Sequence, residues 1–306
     1  MNRELENEFS WSLSRDRRFR DCERSYYWFY YGSWKGWDPA APEPARQAYR
    51  LKQIKNLNQF AGTVVHELIK QTLERLRDGK PVSLEGTWQL ARRRLNDGWK
   101  QSREKLWRQN AKHNLNLFEH HYGPEPPPEM IRSISERVRA CLEKFFALPL
   151  LKDLLTLPTA DWLTVDSLDA VSIEGLKFFA VPDFALRRGE LVYLYDWKTG
   201  QPDEEYSRQL EGYALYAFHK WKTPPERQRL ILVYLLDGHM EEVTPTAEGL
   251  LDFREMLLAS VEAMRSRLDD PQTNAASAER LPMTDNRTLC PSCVFQEICF
   301  GGPAPR

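Results

Sequence analysis

The sequence predicts an α/β fold, and three observations carry that reading. Two short apolar runs, 178–186 and 191–197, flank Arg187-Arg188-Gly189 and read as strands joined in a β-hairpin. A helical pattern over 203–221 follows, then another apolar run at 229–236, so strand, helix and strand alternate. Upstream, amphipathic stripes at 57–77, 83–112 and 130–155 supply long helices.

A chain of 306 residues can bury a sizeable core, as one elaborated domain or as two. With 42% hydrophobic and 28% charged residues it reads as globular. It has no apolar run of about eighteen residues, and the opening MNRELENEFS is unlike a signal peptide. The expectation is therefore a cytoplasmic protein without membrane contact. A net charge of −1 means that any nucleic-acid surface has to come from local segregation of charge.

Taken in order, Ser12 or Ser14 can cap a helix on which Phe19, Cys22 and Tyr26 follow at helical spacing. Segment 39–44, PAAPEP, is a connector. Helix 57–77 carries Phe60, Val64, Val65, Leu68, Ile69 and Leu73 on more than one side, which implies burial. His66 shares a face with Gly62, Ile69 and Leu73, where a histidine is more often a hydrogen-bonded core residue than a ligand. Helix 83–112 has a stripe of Trp88, Leu95, Trp99 and Leu106. Between Ala91 and Lys112 it sets eight lysines or arginines against two acids. Of these, Arg92, Arg93, Arg94, Lys100, Arg103 and Arg108 could track a phosphate backbone, the competing reading being a solvated face behind the stripe. His113, His120 and His121 precede the Pro-rich break 122–130 and read as loop residues, not ligands. Helix 130–155 puts Cys141 on its buried side. Strand 163–174 leads into the hairpin; strands at 229–236 and 240–244, helix 247–268 and a polar linker 269–278 follow, and the tail GGPAPR is expected to be mobile.

The first hairpin strand carries Asp183 in its middle and the second ends on Asp196-Trp197-Lys198. Residues i and i+2 of a strand share a face, so Asp196 and Lys198 point with Val192 and Leu194. An apolar strand face ending in a carboxylate and an ammonium is costly to half-bury, and a metal ion or a phosphate is the usual compensation. On the next helix Gln209 and Tyr213 stand four apart, on one face. A surface hairpin with a Lys–Asp pair is the plainer alternative.

Pro182-Asp183, Asp196-Trp197-Lys198, the following Thr199-Gly200 and Gln209-x-x-x-Tyr213 together resemble the PD-(D/E)xK nuclease superfamily. Within it they look like the RecB-type branch, whose motif ends in QxxxY, and GTVVHELI around His66 looks like that branch's histidine helix. The resemblance implies a restriction-endonuclease-like core, a mixed central sheet flanked by helices, with 79–162 as a helical insertion. It implies that Asp183, Asp196, the Trp197 backbone carbonyl and His66 hold a catalytic Mg²⁺ or Mn²⁺. Lys198 would then orient or deprotonate the water, its pKa lowered by the dication, while Gln209 and Tyr213 position the lysine and touch the DNA strand.

Cys290, Cys293 and Cys299 form C-x2-C-x5-C, with Cys22 far upstream. In a cytoplasmic chain this suggests metal thiolates before disulfides, and spacing alone suits zinc as well as iron. The pattern S-x-S-R-x-x-x-F-x-x-C-x-R-x-Y-Y from Ser12 to Tyr27 resembles the opening of iron–sulfur RecB-type nucleases, a group that includes the AddB nuclease domain and the CRISPR-associated RecB-type exonuclease. That resemblance implies a [4Fe-4S] cluster on Cys22, Cys290, Cys293 and Cys299, clasping the two ends of the chain, with Cys141 left out. The expected division is 1–78 for the cluster-ligand and histidine helices, 79–162 for the insertion, 163–268 for the nuclease core and 269–306 for the cysteine segment and tail. The function implied is hydrolysis of DNA phosphodiesters by an exonuclease on single-stranded ends, in DNA repair, phage defence or CRISPR adaptation. No GxxxxGK[ST] motif is present, so unwinding would need a helicase partner, or the chain would serve a CRISPR-adaptation or defence protein. The alternative is a nucleic-acid-binding or scaffold module with lost or partner-gated cleavage, its cysteines binding zinc.

Overall fold

The computed structural model describes residues 5–203 and 205–304. The first four residues of the opening and the last two of the tail, on which the signal-peptide and mobile-tail expectations partly fall, lie outside them.

Ser12 caps α1, Leu13–Asp21, its Oγ accepting the Arg15 N–H. Cys22 then breaks the helix in an extended conformation, and its sulfur accepts the Ser25 N–H at the head of α2, Glu23–Tyr27. The thiol thus stands between two helices rather than along one. Helix α3, Glu43–Leu51, begins inside the expected connector, with Pro44 in the first turn where its missing N–H costs nothing. Helix α4, Leu57–Arg77, opens on an Asn56/Gln59 capping box. Helix α5, Leu84–Arg103, stops short of 112 because Lys105 adopts the left-handed conformation, φ 57°, through which a helix cannot continue. After α6, Phe118–His121, the expected helix 130–155 appears as α7, Pro128–Ala147, and α8, Pro149–Leu154. Leu148 between them takes the extended ψ that a residue before proline prefers.

The strands are β1, Trp162–Val165; β2, Ala170–Ile173; β3, Leu176–Phe179; β4, Phe184–Arg188; and β5, Leu191–Lys198. Helix α9, Glu205–Trp221, leads to β6, Gln228–Tyr234, and β7, His239–Val243; α10, Ala247–Ser266, and α11, Gln296–Phe300, follow. A five-stranded sheet runs β1-β4-β5-β6-β7, with β5 and β6 parallel and the other neighbours antiparallel, while β2 and β3 form a separate hairpin. Two expected strands are therefore each divided. Asp166, at φ 36°, ends β1; Pro182, lacking an N–H for the ladder, keeps β3 from running into β4. Asp183 consequently stands just before a strand, not in the middle of one.

Alternation along β5 sets the two faces. Tyr195 and Trp197, with Phe184 and Leu186, pack under α4, α5 and α7, so the helical segment 79–162 shares its core with the sheet. Val192 and Leu194, with Leu230 and Leu232, pack under α9. A third cluster joins the N-terminal segment, the β2–β3 hairpin and α10 around Trp11, whose backbone pairs with Lys177 and Phe179 at 2.9 and 2.8 Å. The two ends of the chain also meet: Arg24 donates to the carbonyls of Leu281 and Ala278 at 2.8 and 2.6 Å. The tail is fastened where it is described, since the buried Ala304 N–H donates to Gln296 Oε1 at 2.7 Å. Among the described residues no helix is long and apolar enough to cross a membrane.

Candidate active site

The antiparallel register that sets Phe184 opposite Tyr195 brings Asp183 alongside the end of β5. Its Oδ2 accepts the Trp197 N–H at 2.7 Å and its Oδ1 lies 2.9 Å from His66 Nδ1, presented by α4. That helix comes close to the strand end: a Cβ on Gly62, one turn before His66, would stand 3.1 Å from Thr199 Oγ1. On the other face of β5, Asp196 Oδ1 accepts the Tyr213 hydroxyl at 2.7 Å and Oδ2 is 2.6 Å from Lys198 Nζ. Lys198 donates to Gln209 Oε1 at 2.5 Å, and Gln209 Nε2 donates to Tyr213 Oη at 2.7 Å. Asp196, Lys198, Gln209 and Tyr213 thus close a ring. His66 and Asp183 adjoin it through Trp197, whose indole is buried against Tyr195 and Phe145.

Two neighbours were not expected. Tyr206 places its ring 3.9 Å from Lys198 Nζ; it precedes Gln209 and Tyr213 by three and seven positions, so the helical face that carries them could have named it. Asp166 donates its N–H to the Asp183 carbonyl at 2.9 Å and is held by Lys70, which donates to its carbonyl at 2.6 Å. Nothing in strand or helix periodicity marks that loop.

Asp196 is 3% exposed and Lys198 8%. Burial pushes the Asp196 carboxyl above the usual carboxylate range and the Asp183 charge adds to this, while Lys198 and Tyr213 oppose it. Burial and then the Asp196 charge lift the Tyr213 phenol well above its ordinary value. Burial works against a charge on His66, but the carboxylate of Asp183 prevails and raises the imidazole to about 9. At neutral pH the pair is therefore ionic.

The donor set suits a hard divalent ion: two carboxylates and an imidazole, with an acceptor to spare. That acceptor is Asp196 Oδ2, which is buried and, although Lys198 lies against it, takes part in no hydrogen bond of good geometry. Donors are nonetheless engaged pairwise. Among the described residues no group of three or more His, Cys, Asp or Glu side chains stands at metal-holding separation.

Cys22, Cys290, Cys293 and Cys299 are free thiols, each half-buried. Burial pushes Cys293 up and Cys299 up to about 11, and the charges of the neighbouring cysteines, Cys22 among them, push the same way. The thiols thus share one neighbourhood, are not bonded to one another, and among the described residues no three of them stand at metal-holding separation. Near Cys22 and Cys293, Arg18 donates to Ser25 Oγ at 3.0 Å, its guanidinium 4.1 Å from the Phe29 ring. Cys141 is fully buried in the α7 core, apart from this group.

On α5 the exposed Arg92, Arg93, Lys100 and Arg103 fall within an arc of about 100° at 3.6 residues per turn. Arg108 lies beyond the helix, in the wall of a cavity of about 490 Å³ with Arg50, Lys105, His120 and His121. Of the six predicted phosphate contacts, Arg94 falls outside that arc and pairs with Glu67 at 2.8 Å, while the other five have no ion pair among the described residues. His120 and His121 sit on α6 rather than in a loop, bonded to Ser102 and to Glu297 at 2.8 and 2.7 Å.

A mixed sheet with helices on both faces, and paired acids at the end of its central strands, is a nuclease architecture. The model of the PD-(D/E)XK nuclease superfamily matches residues 10–300, and the chain belongs to that superfamily. Membership implies hydrolysis of phosphodiesters, and its members typically use divalent metals such as Mg²⁺ or Mn²⁺. No curated protein matches the chain in sequence.

Proposed function

We propose that the chain is a DNA exonuclease of the RecB type acting on single-stranded ends. The observation that carries this reading is the closed ring of Asp196, Lys198, Gln209 and Tyr213 beside the His66–Asp183 pair. Asp183, Asp196, His66 and the Trp197 carbonyl would hold a Mg²⁺ or Mn²⁺ ion. When bound, that ion supplies Lewis acidity, lowering the pKa of water and offsetting charge on the phosphoryl oxygens.

The protein's own contribution is pre-organisation. Gln209 Oε1 and Asp196 Oδ2 hold the Lys198 ammonium, with the Tyr206 ring beneath it. From there it orients the attacking water and faces the charge that grows on the phosphate. Tyr213 keeps Asp196 aimed, and the Trp197 N–H does the same for Asp183. The basic face of α5, Arg92, Arg93, Lys100 and Arg103, with Arg108 beyond it, tracks the strand backbone.

Cys22, Cys290, Cys293 and Cys299 would hold a [4Fe-4S] cluster in a structural role, which the convergence of four unbonded thiols supports. The same reading puts the enzyme in the cytoplasm, working in DNA repair, phage defence or CRISPR adaptation beside a helicase or an adaptation protein. End-labelled single- and double-stranded DNA, digested with Mn²⁺ or Mg²⁺ beside an Asp196→Ala control, tests the activity. Products that shorten stepwise from single-stranded ends are expected; equal digestion by the control would overturn the reading. A yellow-brown sample with iron bound is expected, and a colourless one with zinc would overturn the cluster.

A further inference from the structure

Beside Gln209 and Tyr213 opens a cavity of about 620 Å³ between the start of α1, the β3 end and α9. Its walls differ in chemistry. One is apolar: Leu168, on the loop between β1 and β2 and 78% exposed, with Phe179 and the ring of Tyr206. The other carries hydroxyls and cations, namely Ser12, Ser14, Arg15 and Arg17. Glu205 also lines it but is engaged by Arg20 at 3.1 Å.

Arg15 is the unusual member. It is 3% exposed, yet among the described residues no carboxylate pairs with it. Its partners are hydroxyls, Tyr26 at 3.2 and 3.3 Å, Tyr31 at 3.1 Å and Ser10 at 3.0 Å, and the Tyr30 ring at 4.3 Å. Nη1 donates to Ser10, and no second acceptor for it is found among the described residues. A buried cation without a counter-charge, lining an open cavity, points to an anion supplied from outside.

We propose that this cavity holds the nucleotide next to the scissile phosphate of an unpaired strand. The base lies against Leu168 and Phe179, and the phosphate turns toward Ser12, Ser14 and the Arg15 side. The inference rests on the nuclease reading and adds a reason for its strand preference. A space of this size is on the scale of a small-ligand pocket, roughly 300–1,000 Å³, and takes an unpaired nucleotide but not a base-paired duplex. Continuity with Gln209 and Tyr213 identifies the occupant, and the hydroxyl-and-cation wall fits its charge.

The test is fluorescence anisotropy of the full chain with labelled oligo-dT, and with a blunt duplex, in chelator so that nothing is cut. Leu168→Glu, at an exposed position that does not threaten folding, and the uncharged Leu168→Gln and Phe179→Ala are expected to weaken single-strand binding about tenfold, the scale of one base–aromatic contact. Duplex binding should change less than twofold. Wild-type affinity in all three variants, or equal losses on single strand and duplex, would overturn the proposal. Digestion by the wild type in Mn²⁺ is read separately. Selective loss of strand binding in a chain that cuts nothing would sink the nuclease reading and keep the pocket, whereas cutting with unaltered binding by the variants would do the reverse.

Discussion

The acid pair at the end of β5 and the cysteines at the meeting of the chain ends are held by opposite means. Around Asp196 each side chain is engaged by a neighbour, and the ring closes through three hydrogen bonds of 2.5 to 2.7 Å and the 2.6 Å charge contact of Lys198 with Asp196. Around Cys22 two of the four thiols accept an N–H, Cys22 from Ser25 and Cys293 from Phe295, both at 3.4 Å. The first site is assembled by the fold and needs an ion for chemistry. The second is gathered by the fold but not closed by it, so the cluster proposed there would contribute to folding itself.

That difference is broken most sharply by removing charge at the first site. Asp196→Ala and Lys198→Met should each lower cleavage by about 10³-fold or more, while visible absorption from the cysteine site stays at the wild-type level. Equal loss of colour would mean that the two regions are not separable. Cys22→Ala should do the converse: iron and colour disappear together and the melting temperature falls, with residual cleavage tracking the folded fraction measured by circular dichroism. A smaller effect probes the ring. Tyr213→Phe strands Asp196 Oδ1 without its donor, and denaturant unfolding should register about 1–3 kcal/mol, the usual cost of an unmet buried acceptor.

The smallest effect is one of pH. In chelator, His66 gains its charge from Asp183 and its folded pKa stands near 9 against an ordinary 6.5. Stability from the pair is therefore complete below pH 6.5 and lost as pH rises through about 9. Melting curves of wild type and His66→Gln should converge over that window. A gap that widened instead would show that the imidazole is neutral in the folded chain.

Where function followed short-range periodicity, the sequence was legible. Two-residue alternation put Asp196 and Lys198 on the α9 face, and four-residue spacing put Gln209 and Tyr213 opposite them. Pro182 is plain in the sequence, but that the N–H it lacks moves Asp183 out of the strand depends on which ladder the segment meets. Arg15 could not be read at all: Tyr31, one member of its cage, is anchored by Asn274, 243 positions away. Nor does local pattern show that Lys198 is buried against Asp196. Truncating it to alanine should destabilise by about 3–5 kcal/mol besides lowering cleavage, because a buried carboxylate is left uncompensated; methionine keeps the packing of the stem but leaves the same carboxylate uncompensated.

Order of synthesis gives the Arg24–Leu281 bond, which spans 257 positions, a further meaning. On the ribosome, His66, Asp183, Asp196, Lys198, Gln209 and Tyr213 emerge before the partners of Arg24 exist. The nascent chain can therefore assemble these side chains while Arg24, and the apolar Leu51 and Ile54 that pack on Phe295, still wait for residues 278–299, and that interval is when this surface most needs a chaperone.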